Sequence, residues 1–188
     1  MAWRRMRGIT WSLMAPAAVI SAPAPAFAVD YLTAEQAQAK MFAGAAFEVR
    51  QVALTPELQS ALARRLGAPL HRTSWSLRLA RGGAGLLGVV VVDDVIGKFE
   101  RITYAVGVGP DAVIRDVEIL SYRESHGQEI LLPAWRRQFV GKSAAAPIEV
   151  GKDIASISGA TLSCTHVTEG VRRIAALVEA LRAAGELR

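Results

Sequence analysis

From Ser74 to Tyr122 the chain repeats with a period of two, in runs whose connections are too short to carry the chain across a sheet. Trp75, Leu77 and Leu79 alternate with Ser76, Arg78 and Ala80, the pattern of a half-buried strand. Gly82-Gly83-Ala84-Gly85 reads as a hairpin turn into Leu86 to Val92, a continuous apolar run suited to a central strand. Gly97 breaks that run. Ile102, Tyr104, Val106 and Val108 then alternate as far as Gly109-Pro110-Asp111, and Val113 to Leu120 returns as a further strand. A parallel pair needs a crossover of about a dozen residues or more. These neighbours must therefore run antiparallel, as a meander.

Helices flank the strands. Thr33 with Gln36 three residues on predicts a capping box and a short helix through about Phe42. Thr55-Pro56-Glu57 starts a second helix, with Pro at its first position and Gly67 at its stop. On it Leu58, Leu62 and Leu66 form one stripe, with Arg64 and Arg65 off it. Ala46 to Leu54 reads as a strand between the two helices, and Gln128 to Phe139 as a helical stretch. The longest helix runs from about Thr161 to Ala184, with Val167, Val171, Ile174, Val178 and Leu181 at helical spacing. The fold class is α+β: one compact domain, mainly an antiparallel sheet with flanking helices and a long C-terminal helix. Residues 29–85 supply the N-terminal helices and first strands, and residues 86–188 the remainder.

The first 28 residues read as an address. Arg4, Arg5 and Arg7 precede the apolar stretch Ile9 to Ile20, and Ala26-Phe27-Ala28 is an A-x-A cleavage site. The stretch is about long enough to be an uncleaved anchor, but Pro16, Pro23 and Pro25 favour cleavage after Ala28. The mature chain is then expected in the periplasm, either free or docked on a membrane complex. The formal charge of +5 falls to 5 − 3 = +2 when the three arginines leave, which is no nucleic-acid footprint. One cysteine excludes a disulfide framework, and Cys164 reads as a small buried residue.

Most chemistries fail on spacing. His71, His126 and His166 are scattered and form no metal-ligand pair, so no metal is expected. Ser156-Ile157-Ser158-Gly159 is not a nucleophile elbow, and no P-loop or dinucleotide fingerprint is present. No catalytic acid or base stands out. Three polar clusters remain. Ser158-Gly159-Ala160-Thr161 lies at the start of the terminal helix, where free amides and the helix dipole suit a phosphate and Thr161 offers a hydroxyl to bond or esterify. On spacing alone, Ser158 serves equally as a plain N-cap. Tyr122-Arg123-Glu124-Ser125-His126-Gly127 follows the last strand, where Glu124 can pair with Arg123. Gln138-Phe139-Val140-Gly141-Lys142 offers a flat apolar face at Phe139 and a cation at Lys142.

Ser158-Gly159-Ala160-Thr161-Leu162-Ser163 resembles the flavinylation motif of the FMN-binding domain family. That domain occurs in the C subunit of the sodium-pumping NADH:quinone oxidoreductase, in the Rnf complex G subunit and in small exported flavoproteins. The other two clusters match it in the same order, as do Gly97-Lys98-Phe99 and Ile102 to Val106; the likeness covers about Leu86 to Arg173. The resemblance implies FMN held by a phosphoester on Thr161, installed by a separate flavin transferase that consumes FAD and releases AMP. It implies an electron-transfer module with a membrane partner, and flavin contacts from Ser158, Gly159, Ala160, Leu162, Glu124, His126, Gly127, Phe139 and Lys142. The family pattern places an Asp three residues before the motif Ser; here that residue is Ala155, with Asp153 two residues earlier.

Overall fold

The computed structural model describes residues 29–83 and 85–187; the leader expected over residues 1–28 lies outside them. Its elements in chain order are β1 (Val29–Asp30), α1 (Ala34–Met41), β2 (Ala46–Ala53), α2 (Pro56–Leu66), β3 (Ser74–Gly82), β4 (Gly85–Ile96), β5 (Arg101–Val108), β6 (Ile114–Tyr122), α3 (Pro133–Arg136) and α4 (Thr161–Ala183). The six strands form one sheet in the order β1-β6-β5-β4-β3-β2. Every pair is antiparallel. The period-two runs thus form the expected meander, with Gly82 paired to Gly85 across the first hairpin.

Local chemistry sets the ends of the first two helices. Thr33 and Gln36 close a capping box at α1, and Thr55 caps α2 through the Leu58 N–H while Gly67, at φ +70°, ends it. The two faces of the sheet are covered unequally. Trp75, Leu77, Leu79, Val89, Val91, Tyr104 and Val106 pack under α2 and α4 in the main core. Val90, Ala105 and Leu120 point the other way, beneath α1. Burial on both faces explains why β4 reads as an unbroken apolar run.

The expected helix from Gln128 to Phe139 is broken into three pieces. A 3-10 turn spans Gln128–Leu131, α3 follows, and a second 3-10 turn spans Arg137–Phe139. Pro133 lacks an N–H and disfavours helical geometry in the residue before it; Leu132 is accordingly extended, at φ −67°, ψ 134°. The pieces still bury Ile130, Trp135 and Phe139 in the main core. α4 lies on the same face and buries Val167, Val171, Ile174, Val178 and Leu181 at the predicted spacing. Among the described residues no helix is long and apolar enough to cross a membrane.

Candidate functional site

The end of β6 and the β4–β5 turn meet the start of α4. Their side chains line a cleft of about 470 Å³ formed by Lys98 and Phe99, by Glu124, Ser125 and His126, and by Gly159 to Ser163. Segments as much as 65 positions apart in the chain are brought together there because β5 and β6 run side by side and α4 crosses the same face of the sheet. A separate cleft of about 530 Å³ lies on the α1 face and holds Arg123 with Asp30, but none of the S-G-A-T residues.

Thr161 is the first residue of α4 and is exposed. Ser158 is not the N-cap. That position is Ala160, whose side chain can accept nothing, so no side-chain bond closes the helix start. The first amides of α4 therefore face outward beside the Thr161 hydroxyl, at the positive end of a 23-residue helix. Gly159, at φ +81°, turns the chain into this start.

Gly127 supports the helix start from below. It sits at φ +85°, and a Cβ there would lie 2.2 Å from the Ala160 Cβ and 2.8 Å from the Tyr122 hydroxyl. Only glycine allows the two loops to approach this closely. The Tyr122 hydroxyl also donates to the His126 carbonyl, fixing the turn between them. His126 Nδ1 and Ser125 Oγ are hydrogen-bonded at 2.9 Å.

Glu124 does not pair with Arg123. Successive residues leave a strand on opposite faces, so Arg123 turns to Asp30, 3.7 Å away on the α1 side. The Glu124 carboxylate turns inward and accepts the N–H groups of Phe99 at 2.7 Å and Glu100 at 3.0 Å. Burial opposes its ionisation, but the donors from Glu100, Phe99 and Lys98 outweigh that and hold the carboxyl below its usual range. Gly97 leaves room for it: a Cβ at that position would lie 2.5 Å from Glu124 Oε1. Glu124 thereby holds the β4–β5 turn, on which Phe99 is 73% exposed with Lys98 Nζ 4.9 Å from its ring centre.

Four of the expected flavin contacts do not line the cleft: Ser158, Gly127, Phe139 and Lys142. Phe139 offers no free face: it is fully buried and meets Trp135 edge-on at 5.1 Å. Lys142 pairs with Asp153 at 2.9 Å, outside the cleft. Asp153 is committed in turn, accepting the N–H groups of Ile148 and Glu149; it closes its own loop and does not replace the carboxylate absent at Ala155. The backbone of Ala155 is held by Gln138 and Trp135. Cys164 is buried, and that burial pushes its thiol pKa up.

Three parts of the site lie outside the three polar clusters. Lys98 and Phe99 are marked only by the resemblance of Gly97-Lys98-Phe99, and Ser163 only as the last residue of the motif Ser158 to Ser163. A second groove also opens at Thr161, on the other flank of α4, lined by Ile148, Val150, Thr165, Thr168 and Arg172; its signal is the helical spacing of the last three.

Residues 97–176 match the family model described as the FMN-binding domain. The match takes in the β4–β5 turn, the β6 end and the α4 start, and it bears out the resemblance carried by the three polar clusters. No curated protein matches the chain.

Proposed function

We propose that the FMN-binding domain of this chain carries its flavin through a phosphoester on Thr161, and that the protein is exported and serves as an electron-transfer module between a membrane reductase and another acceptor. The observation that carries this reading is the exposed Thr161 hydroxyl at an uncapped helix start, inside a matched flavin-binding domain. The residues present fit the group. Outward amides at the start of α4 neutralise a phosphate, and Gly159 and Ala160 leave the backbone accessible.

Maturation needs one bond exchange. The Thr161 oxygen forms a bond to the FMN phosphorus of FAD, the pyrophosphate bond breaks, AMP leaves, and the hydroxyl proton passes to a base on the transferase. FMN, once attached, supplies one- and two-electron carriage. This chain's residues then hold and orient: α4 presents the ester, Gly127 and Tyr122 fix the loop beneath it, and Glu124 holds the β4–β5 turn. Export rests on the leader reading of residues 1–28, and a covalent tether suits it, since a bound cofactor is not lost by dilution outside the cytoplasm.

Ala155 favours a second reading, in which the transferase does not recognise the motif and FMN is bound reversibly or not at all, leaving an assembly or binding module. Intact mass and in-gel flavin fluorescence separate the two. The proposal expects the mass of residues 29–188 plus FMN less water, with fluorescence surviving denaturation. Thr161→Ala should remove both while costing no more than about 1 kcal/mol of stability, as a change at an exposed helix start. A bare mass in the wild type, or flavin retained through denaturation in Thr161→Ala, overturns it.

A further inference from the structure

α4 leaves Thr161 between two grooves, and their polar groups are not equally satisfied. On the sheet side, Glu124 Oε1 accepts two N–H groups, the Tyr122 hydroxyl donates to a carbonyl, and His126 Nδ1 is bonded to Ser125. On the other flank, Thr161, Thr165, Thr168 and Arg172 recur at i, i+4, i+7 and i+11, one continuous stripe along the helix. Ile148 and Val150 face them across a groove of about 490 Å³.

Two groups in that groove lack partners. Thr168 is 1% exposed, yet its hydroxyl makes no hydrogen bond. Arg172 Nε is also buried without a partner, and Arg172 has no ion pair among the described residues. Leaving a buried polar group unpaired costs about 1–3 kcal/mol, so two beside each other call for a ligand. The carboxylates nearby do not supply one. Glu149 is taken by Lys152 at 2.7 Å, and Glu169 stands exposed on the crest between this groove and the sheet-side surface.

We infer that the group esterified to Thr161 lies along this α4 groove, its hydroxylated chain over Thr165 and Thr168 and the carbonyl-bearing edge of its ring at Arg172. The inference rests on the Thr161 attachment proposed above. From Thr161 to Arg172 the stripe runs over eleven residues of helix, a rise of about 16 Å. Helical side chains also lean toward the N-terminus, which turns Arg172 back toward Thr161. A hydroxyl stripe matches a polyhydroxyl chain. A fixed guanidinium at the ring's polar edge favours the more negative reduced form and raises the reduction potential.

The test uses the flavin-loaded protein, with the added mass confirmed in each variant before its potential and visible spectrum are recorded. Arg172→Gln should weaken binding of the reduced form relative to the oxidised form by about tenfold, a fall of about 30 mV for a two-electron couple. Arg172→Lys should recover most of that fall. Thr168→Val should shift the flavin absorption bands and narrow the melting-temperature gap between loaded protein and Thr161→Ala. If flavin is attached but neither Arg172→Gln nor Thr168→Val moves potential or spectrum, or if Lys98→Gln produces the fall in potential instead, the groove assignment is wrong and the attachment stands. A wild-type protein without added mass overturns both.

Discussion

Gly127→Ala tests the packing that supports the helix start, and Gly159→Ala is its matched control. The two glycines have nearly the same backbone, φ +85° and +81°, so alanine pays a similar left-handed penalty of about 1–2 kcal/mol at each. They differ in surroundings. A Cβ at Gly159 meets nothing within 4 Å, whereas one at Gly127 would lie 2.2 Å from the Ala160 Cβ and 3.3 Å from its Cα. Part of that obstruction is backbone at the N-cap of α4, so a rotamer change cannot relieve it. Overpacking of this kind adds about 1–3 kcal/mol. Gly127→Ala should therefore cost roughly 2–5 kcal/mol and Gly159→Ala about 1–2. Urea unfolding followed by the fluorescence of buried Trp75 and Trp135 measures both. Because the clash pushes on Ala160, Gly127→Ala should also lower the fraction of chains that carry flavin. Equal stabilities for the two variants would refute the close approach of the β6 end to the start of α4.

Three further outcomes follow from named contacts. The folded protein holds the Glu124 carboxyl below its ordinary value, so the unfolded chain takes up that proton first. Its contribution is present above the ordinary value and is lost as pH falls through the lowered one; urea midpoints against pH should show this slope, and Glu124→Gln should flatten it. An unchanged slope in Glu124→Gln would mean that another carboxylate carries it. Cys164 is fully buried and its thiol pKa is raised, so a thiol reagent should label it only at the rate of unfolding, and labelling that follows reagent concentration in folded protein would contradict its burial. Thr161→Ala, read by denaturing-gel fluorescence, should lose its flavin and keep a cooperative urea transition.

Much of the architecture is legible in the chain. A period of two, ended by Gly82, Gly97 and Gly109, leaves no length for crossovers, so the meander is determined locally. The starts of α1 and α2 are equally local, because Thr33 with Gln36, and Thr55 with Pro56, satisfy amides within one turn. The break at Pro133 was legible too, through its missing N–H and the constraint it places on Leu132. The three polar clusters and their order carried the resemblance to the FMN-binding domain, whose family model matches residues 97–176.

What only the tertiary structure decided is which of those residues face one another. Phe139 and Lys142 are in a matched motif, yet one fills the core and the other closes a loop with Asp153. Arg123 and Glu124 are adjacent in sequence and end on opposite faces of the sheet. Periodicity records how a residue relates to its neighbours within one turn or one strand. It holds no record of distance between segments as far apart as Lys98 and Thr161, which meet only after β5 and β6 have paired and α4 has crossed them. The unpaired Thr168 hydroxyl and Arg172 Nε belong to that second kind of information: a threonine and an arginine in a helix are ordinary until the fold buries those two atoms without partners.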